Sequence, residues 1–148
     1  GNAFRRRLRW SALLHELGLD IAHSRYHRHS AYIFANADLA GFSQQEQELI
    51  AAMLRLHRRS FDTDTHLATV TRERRLEAAR LSVLLRLAVL LCRNRSDEGL
   101  PIESLRAGRK SLSLTFSEGW LKDKPLSGAD LAVEAELLLN SDWQLDFC

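Results

Sequence analysis

Apolar residues recur every three or four positions through the first two thirds of the chain, and every second position in short runs near its end. Leu8, Ala12, Leu13 and Leu17 predict a helix over about 5–17, stopped at Gly18. A second helix is predicted over about 26–36, ending in the loop Asn36-Ala37-Asp38-Leu39-Ala40-Gly41. Ser43, followed three residues later by Glu46, is a capping box, in which each side chain satisfies a free backbone N–H at the other end. It opens a helix to about Arg58, with Leu49, Ile50, Met53, Leu54 and His57 on one face. A long helix over about 72–94 is charged in its first turns and apolar nearly all round from Val83 to Cys92. Such a helix belongs at the centre of a bundle, and Cys92 is expected there as a buried thiol.

The period changes after Ser96-Asp97-Glu98-Gly99-Leu100-Pro101. Ser111 to Phe116 alternates with period two, as does Trp143 to Phe147, and both predict half-buried strands. Ile102 to Arg106 is a third candidate strand, turned at Gly108-Arg109. Between the last two strands, 128–140 predicts a helix with Leu131, Ala135 and Leu138 inward. The expected class is therefore α+β: a mainly α-helical bundle over 1–96, then a small β-β-α-β domain over 97–148.

The formal charge of +2 hides an asymmetry. Residues 1–95 hold sixteen arginines against nine acidic residues, whereas 96–148 hold five basic residues against ten acidic ones. Arginine's planar fork suits phosphate and carboxylate, so a polyanionic partner for the first part competes with a plainly solvated basic face. Cys92 and Cys148 have no metal-ligand spacing and make no disulfide framework. The most apolar stretch, interrupted by Arg86, is shorter than the roughly 20 residues that span a bilayer. With no membrane span and no secretory signal, a cytoplasmic protein is expected.

All six histidines lie in the first part, four of them within His15-Glu16-Leu17-Gly18-Leu19-Asp20-Ile21-Ala22-His23-Ser24-Arg25-Tyr26-His27-Arg28-His29. Histidine ligates metals as the neutral ring and donates to anions. Arg25, His27, Arg28 and His29 at a helix start add side-chain donors to the free backbone N–H groups of the first turn, an anion-binding arrangement. His57-Arg58-Arg59 would complete a basic groove if the two segments meet. His57 could equally serve only its own helix end. His23 and His66 have no assigned partner. Neither a GxxxxGK nor a GxGxxG loop is present.

The placement of His15-Glu16 after an apolar helical run resembles the His-Asp pair of HD-superfamily metal-dependent phosphohydrolases, with glutamate for aspartate. A closer resemblance runs through Leu14-His15-Glu16-Leu17-Gly18, His23-Ser24, His27-Arg28-His29-Ser30-Ala31-Tyr32-Ile33, Leu39-x-Gly41-Phe42, His57-Arg58-Arg59, Leu84 to Leu91 and Gly119-Trp120-Leu121. These segments resemble the C-terminal region of bacterial exopolyphosphatases, of the exopolyphosphatase / guanosine pentaphosphate phosphatase family. The basic clusters resemble the exopolyphosphatase branch.

That resemblance implies an HD-like helical domain, N-terminally incomplete, plus a small terminal domain. It places the catalytic domains before residue 1 and their Mg²⁺ in the full-length enzyme, with no metal or other cofactor in this fragment. The late aspartate of an HD site would fall at Val89, which cannot ligate a metal, so His15 and Glu16 are expected to be a degenerate pair and the fragment non-catalytic. It further implies inorganic polyphosphate as partner, held by Arg25, His27, Arg28, His29, His57, Arg58 and Arg59, and a homodimer through apolar faces at Leu8, Leu13 and Leu17 and around Leu84 to Leu91. Two alternatives stand beside it. One is an active HD-type metal-dependent phosphohydrolase on a nucleotide such as guanosine tetraphosphate. The other is a nucleic-acid-binding module, against which the acidic tail and the absence of an exposed aromatic pair in Ser111 to Phe116 both count.

Overall fold

The computed structural model describes residues 1–93 and 99–148. Contacts divide the chain into two units, Gly1–Leu87 and Ala88–Cys148. The boundary expected at 96/97 lies outside the described residues.

The first unit is helical: α1 (Asn2–Leu14), a 3-10 turn (Leu17–Asp20), α2 (Tyr26–Asn36), α3 (Gln44–Leu56), the short α4 (Thr63–His66) and the long α5 (Arg72–Leu91), whose last turn from Ala88 is counted with the second unit. Both halves of the Ser43–Glu46 capping box are formed, which fixes where α3 begins. From there Leu49, Ile50, Met53, Leu54 and Leu56 are buried almost completely. Each contributes roughly 1.5–3 kcal/mol by leaving water, so α3 is the axis of this core. Ala31 and Phe34 of α2 pack on Ile50, Ala51 and Leu54. The Gln47 amide donates to the carbonyls of Phe34 and Ala37, pinning the end of α2 to the start of α3.

α1 leaves Ala12 exposed, Leu13 65% exposed and Leu8 half-buried, and its buried residues are Arg7 and Ser11. Arg7 meets Glu77 of α5, and the exposed Arg6 meets Glu46 of α3. One expectation is corrected: Cys92 is an exposed thiol rather than a buried one. The cover of α5 ends before the helix does, Ala88 being already exposed.

Gly18 is the one glycine here that close approach demands. A Cβ on it would stand 2.2 Å from the Tyr26 carbonyl oxygen and 2.6 Å from the Ser30 nitrogen. The Gly18 N–H donates to Ser30 Oγ at 2.8 Å, and Ser30 Oγ donates to the His15 carbonyl at 3.0 Å. This latch ties the end of α1 to the first turns of α2.

The second unit is α+β, as expected: β1 (Ile102–Ala107), β2 (Ser111–Phe116), α6 (Trp120–Asp123), α7 (Pro125–Leu139) and β3 (Gln144–Phe147). β1 and β2 are antiparallel, with a bulge between Ile102 and Ser104, and β2 pairs with β3 in parallel. A parallel pair needs a crossover, which α7 supplies. Leu112, Leu114 and Phe116 alternate into a core completed by Leu131, Leu138, Trp143 and Leu145. Among the described residues, no helix is long and apolar enough to cross a membrane.

Candidate functional site: a basic cluster over buried histidines

The Ser30–Gly18 latch brings the histidine segment to the C-terminal end of α3. Arg25, the N-cap of α2, takes a left-handed conformation (φ 60°), which turns the chain into the helix. His27 is then buried on the first turn, whereas Arg25 and Arg28 face outward and His29 is half-buried. At the other side of the junction His57 caps α3, with its Nδ1–H donating to the Leu54 carbonyl.

Three imidazoles and a phenol meet here. The His57 ring lies 5.3 Å from that of His15, 6.3 Å from His27 and 5.7 Å from Tyr26, measured between centroids. Burial holds His57 in its neutral form and lowers its pKa to about 3; the Leu54 carbonyl opposes this, and His15, His27 and Arg86 add to it. Burial likewise lowers His27 to about 4, reinforced by the positive field of Arg58, Arg28, Arg59 and Arg55. Two of the buried ring nitrogens, His27 Nδ1 and His57 Nε2, have no hydrogen-bond partner among the described residues.

The charges of four arginines therefore act on one neutral histidine. Arg58 stacks its guanidinium over Tyr26, 4.8 Å from the ring centre, and this contact joins the end of α3 to the start of α2. Arg59 follows in a left-handed conformation (φ 66°) and is exposed. That strained turn is held from below. Arg86 of α5, itself buried, donates to the carbonyls of Leu56 at 2.6 Å and Arg59 at 2.7 Å, and lies over the Phe61 ring. These carbonyls belong to the helix end and the turn beyond it, which α3's own backbone leaves without partners.

Of the residues expected to grip an anion, Arg28, Arg58 and Arg59 are brought together. His27 and His57 lie beneath them as neutral core groups, so any direct contact with an anion falls to the arginines. Arg25 and His29 flank the cluster on α2. Arg55, in the last turn of α3, belongs to the cluster and was not anticipated; its spacing of three from Arg58 on one helix face was the available signal. Arg86 was also missed as a structural group, because in sequence it reads only as an interruption of an apolar run.

His15 and Glu16 stand 3.9 Å apart, and the His15 Nδ1–H donates to the Ala12 carbonyl at 2.7 Å. Among the described residues, no three His, Cys, Asp or Glu side chains are grouped so that they could hold a metal ion. The donor set at His15 thus does not fit the metal centre of an HD phosphohydrolase.

Residues 2–135 match the family described as Ppx/GppA phosphatase, domain III. The chain is 37% identical over 134 residues to the guanosine-5'-triphosphate,3'-diphosphate pyrophosphatase of Pseudoalteromonas translucida, covering 90% of this chain and 27% of that protein. It is 34% identical over 138 residues to the protein of the same name in Aeromonas salmonicida, covering 92% and 27%. The chain thus spans about a quarter of the length of the curated relatives it matches. Over nearly all its own length, however, the match is continuous, and the chain belongs to the Ppx/GppA phosphatase family.

Proposed function

We propose that this chain is a polyphosphate-binding and dimerisation region of a cytoplasmic exopolyphosphatase-type enzyme, whose catalysis resides in domains outside it. The observation that carries the reading is the Arg58–Tyr26 stack that joins the end of α3 to the start of α2, with the charges of Arg28, Arg55, Arg58 and Arg59 all acting on the neutral His27. A linear phosphate chain offers closely spaced charges and no bases to read. A stripe of arginine forks suffices to hold it, and every contacted phosphate releases counterions. The buried histidines keep the floor of the cluster uncharged, so they add no repulsion of their own to the crowded guanidinium groups above.

The names of the relatives support a second reading, in which the same arginines receive the phosphates of guanosine-5'-triphosphate,3'-diphosphate. Metal-dependent hydrolysis at His15 and Glu16 has less support, given the donor set described above. A nucleic-acid role would need exposed stacking rings that β2 does not carry.

Titration with long-chain polyphosphate and with the guanosine nucleotide at several salt concentrations tests the reading. Arg28→Gln, Arg58→Gln and Arg59→Gln combined should weaken polyphosphate binding and reduce the slope of log K against log salt by about two. An unchanged slope would remove these arginines from the site. Tighter, saturable binding of the nucleotide than of polyphosphate would favour the second reading.

For association, the support is the outer face of α1, where Trp10 and Leu13, three residues apart, are both exposed. Apolar groups clustered this way commonly mark an interface, and a symmetric dimer is the commonest way to cover one. Light scattering coupled to size exclusion should give a dimer that Leu13→Glu dissociates. A monodisperse monomer at high concentration would dismiss this part of the proposal.

A further inference from the structure

The α2–α3 hairpin carries a concavity apart from the basic cluster. Between the two helices, bordered by α4, lies a cleft of about 290 Å³. Its floor is made by Ala31 of α2 and Ala51 and Ala52 of α3, with the exposed Ala35 at its edge, four side chains that end at Cβ. Such a floor is flat and apolar, and the volume is close to the lower limit for small-molecule sites, roughly 300 Å³. Tyr32, 66% exposed, stands at the rim with its ring available to cover a flat ligand.

The two ends of the cleft differ in charge. Asn36 and Glu48 close one end. Seven residues along α3, about 10 Å at 1.5 Å per residue, Arg55 and His66 close the other. Arg55 forms no ion pair among the described residues. His66 has a buried Nδ1 without a hydrogen-bond partner. Burial and the nearby Arg55 and Arg28 favour its neutral ring, with Asp62 opposing them. At the acidic end, the Asn36 amide nitrogen is engaged with the Tyr32 carbonyl at 2.9 Å, which leaves its oxygen to accept, beside the Glu48 carboxylate. One end thus attracts an anion, the other attracts a donor, and the span between them is flat and greasy.

We propose that this cleft binds a small phosphorylated heteroaromatic ligand, of the class of a purine nucleoside monophosphate. Its phosphate pairs with Arg55 and accepts from a ring N–H of His66, its ring lies on the alanine floor beside Tyr32, and the amino edge of the ring donates to Glu48 and Asn36. Glu48 repels the phosphate, so one orientation is selected. The site adjoins the polyphosphate cluster through Arg55 but stands without that reading, since Ala35, Tyr32 and Glu48 take no part in it.

Methyl and amide NMR titration of the chain with AMP tests the proposal, with adenosine, ribose 5-phosphate and inorganic phosphate as controls. AMP should move the methyl signals of Ala31, Ala35, Ala51 and Ala52 and bind at least about tenfold more tightly than any control, because each control lacks one of the two end contacts or the ring. Arg55→Gln should weaken AMP by about tenfold through the lost charge-assisted hydrogen bonds. Ala35→Trp, at an exposed position, should fill the cleft and abolish AMP binding, with the rest of the spectrum unchanged; Tyr32→Ala gives a milder loss on an intact floor. Equal binding of AMP and inorganic phosphate without alanine shifts would overturn the proposal. So would undiminished AMP binding by Ala35→Trp.

Discussion

The two units of this chain solve the same burial problem with different materials. The sheet unit, Ala88–Cys148, has a core of aliphatic and aromatic side chains alternating off β2, with Leu131 and Leu138 from α7. The helical unit, Gly1–Leu87, also buries Arg7, Ser11, His27, Ser30, His57, Ser82 and Arg86, whereas among the described residues Glu134 is the one buried polar group of the sheet unit. Buried polar groups contribute little net stability even when paired and are costly when left alone. A unit that concentrates them has given up stability for a defined arrangement. For His27, Ser30, His57 and Arg86 that arrangement is the junction between α2 and α3, beside which Arg58 stacks on Tyr26. The difference locates the candidate chemistry in the helical unit without appeal to any motif.

Acid offers the largest way to break the comparison. His27 and His57 have folded pKa values of about 4 and about 3, below the ordinary 6.5. Because folding depresses these values, the unfolded chain binds the protons first. The stability conferred by keeping the rings neutral is complete above pH 6.5 and is lost as pH falls towards 4 and 3. The loss by pH 4 is on the order of 5 kcal/mol, comparable with the whole stability of a small domain. The sheet unit has no histidine, so it has no matching loss between pH 6.5 and 5. Trp10 reports on the first unit, and Trp120 and Trp143 on the second. Acid titration should unfold the environment of Trp10 first, and His57→Gln should flatten that response. A helical unit indifferent to pH over this window would show that the buried rings are not the sensitive element.

Arg86 comes next. Replacing it with methionine keeps the bulk but strands the carbonyls of Leu56 and Arg59, which accept from it now. The cost should be about 3 kcal/mol in urea unfolding, with Arg86→Lys recovering part of it. Methionine tolerated without loss would mean that solvent replaces the guanidinium, and that the turn at Arg59 is held by something else.

The sequence made the sheet unit legible and half hid the helical one, for a physical reason. Strand β2 matches the expected Ser111 to Phe116 because period-two alternation has one meaning when a face is buried. Helix α2 and the start of α3 were equally legible, since caps and turn residues act locally. The buried residues of α1 were not. Arg7 and Ser11 are buried there, and the carboxylate that meets Arg7 belongs to Glu77, seventy residues away. Cys92 failed similarly, because a run that is apolar all round does not say where its cover ends. At the site, the basic segments could be found by composition, but their convergence depends on Arg58 stacking on Tyr26 and on the Gly18–Ser30 latch. Both are long-range contacts between residues that look ordinary in isolation.

The smallest predicted effect compares the helix starts of the two units. Ser43 caps α3 in a complete box, its Oγ accepting from the Glu46 N–H at 3.2 Å. At the start of α7, Lys124 occupies the N-cap position with no side-chain hydrogen bond, and Pro125 follows in the first turn. Proline there has no N–H to satisfy and a φ already suited to a helix, so α7 begins through covalent geometry rather than through a cap. Ser43→Ala should therefore cost about 1 kcal/mol in urea unfolding followed at Trp10. Lys124→Ala, which removes no cap and takes a positive charge from the positive end of a helix dipole, should be neutral or stabilising by a few tenths of a kcal/mol, at most about 0.5. The two variants also separate the possible causes. Equal losses would imply that Lys124 holds α7 through a contact other than the cap. A loss at neither site would mean that tertiary burial of Leu49 and Ile50 sets the start of α3, and that the box follows the packing rather than directing it.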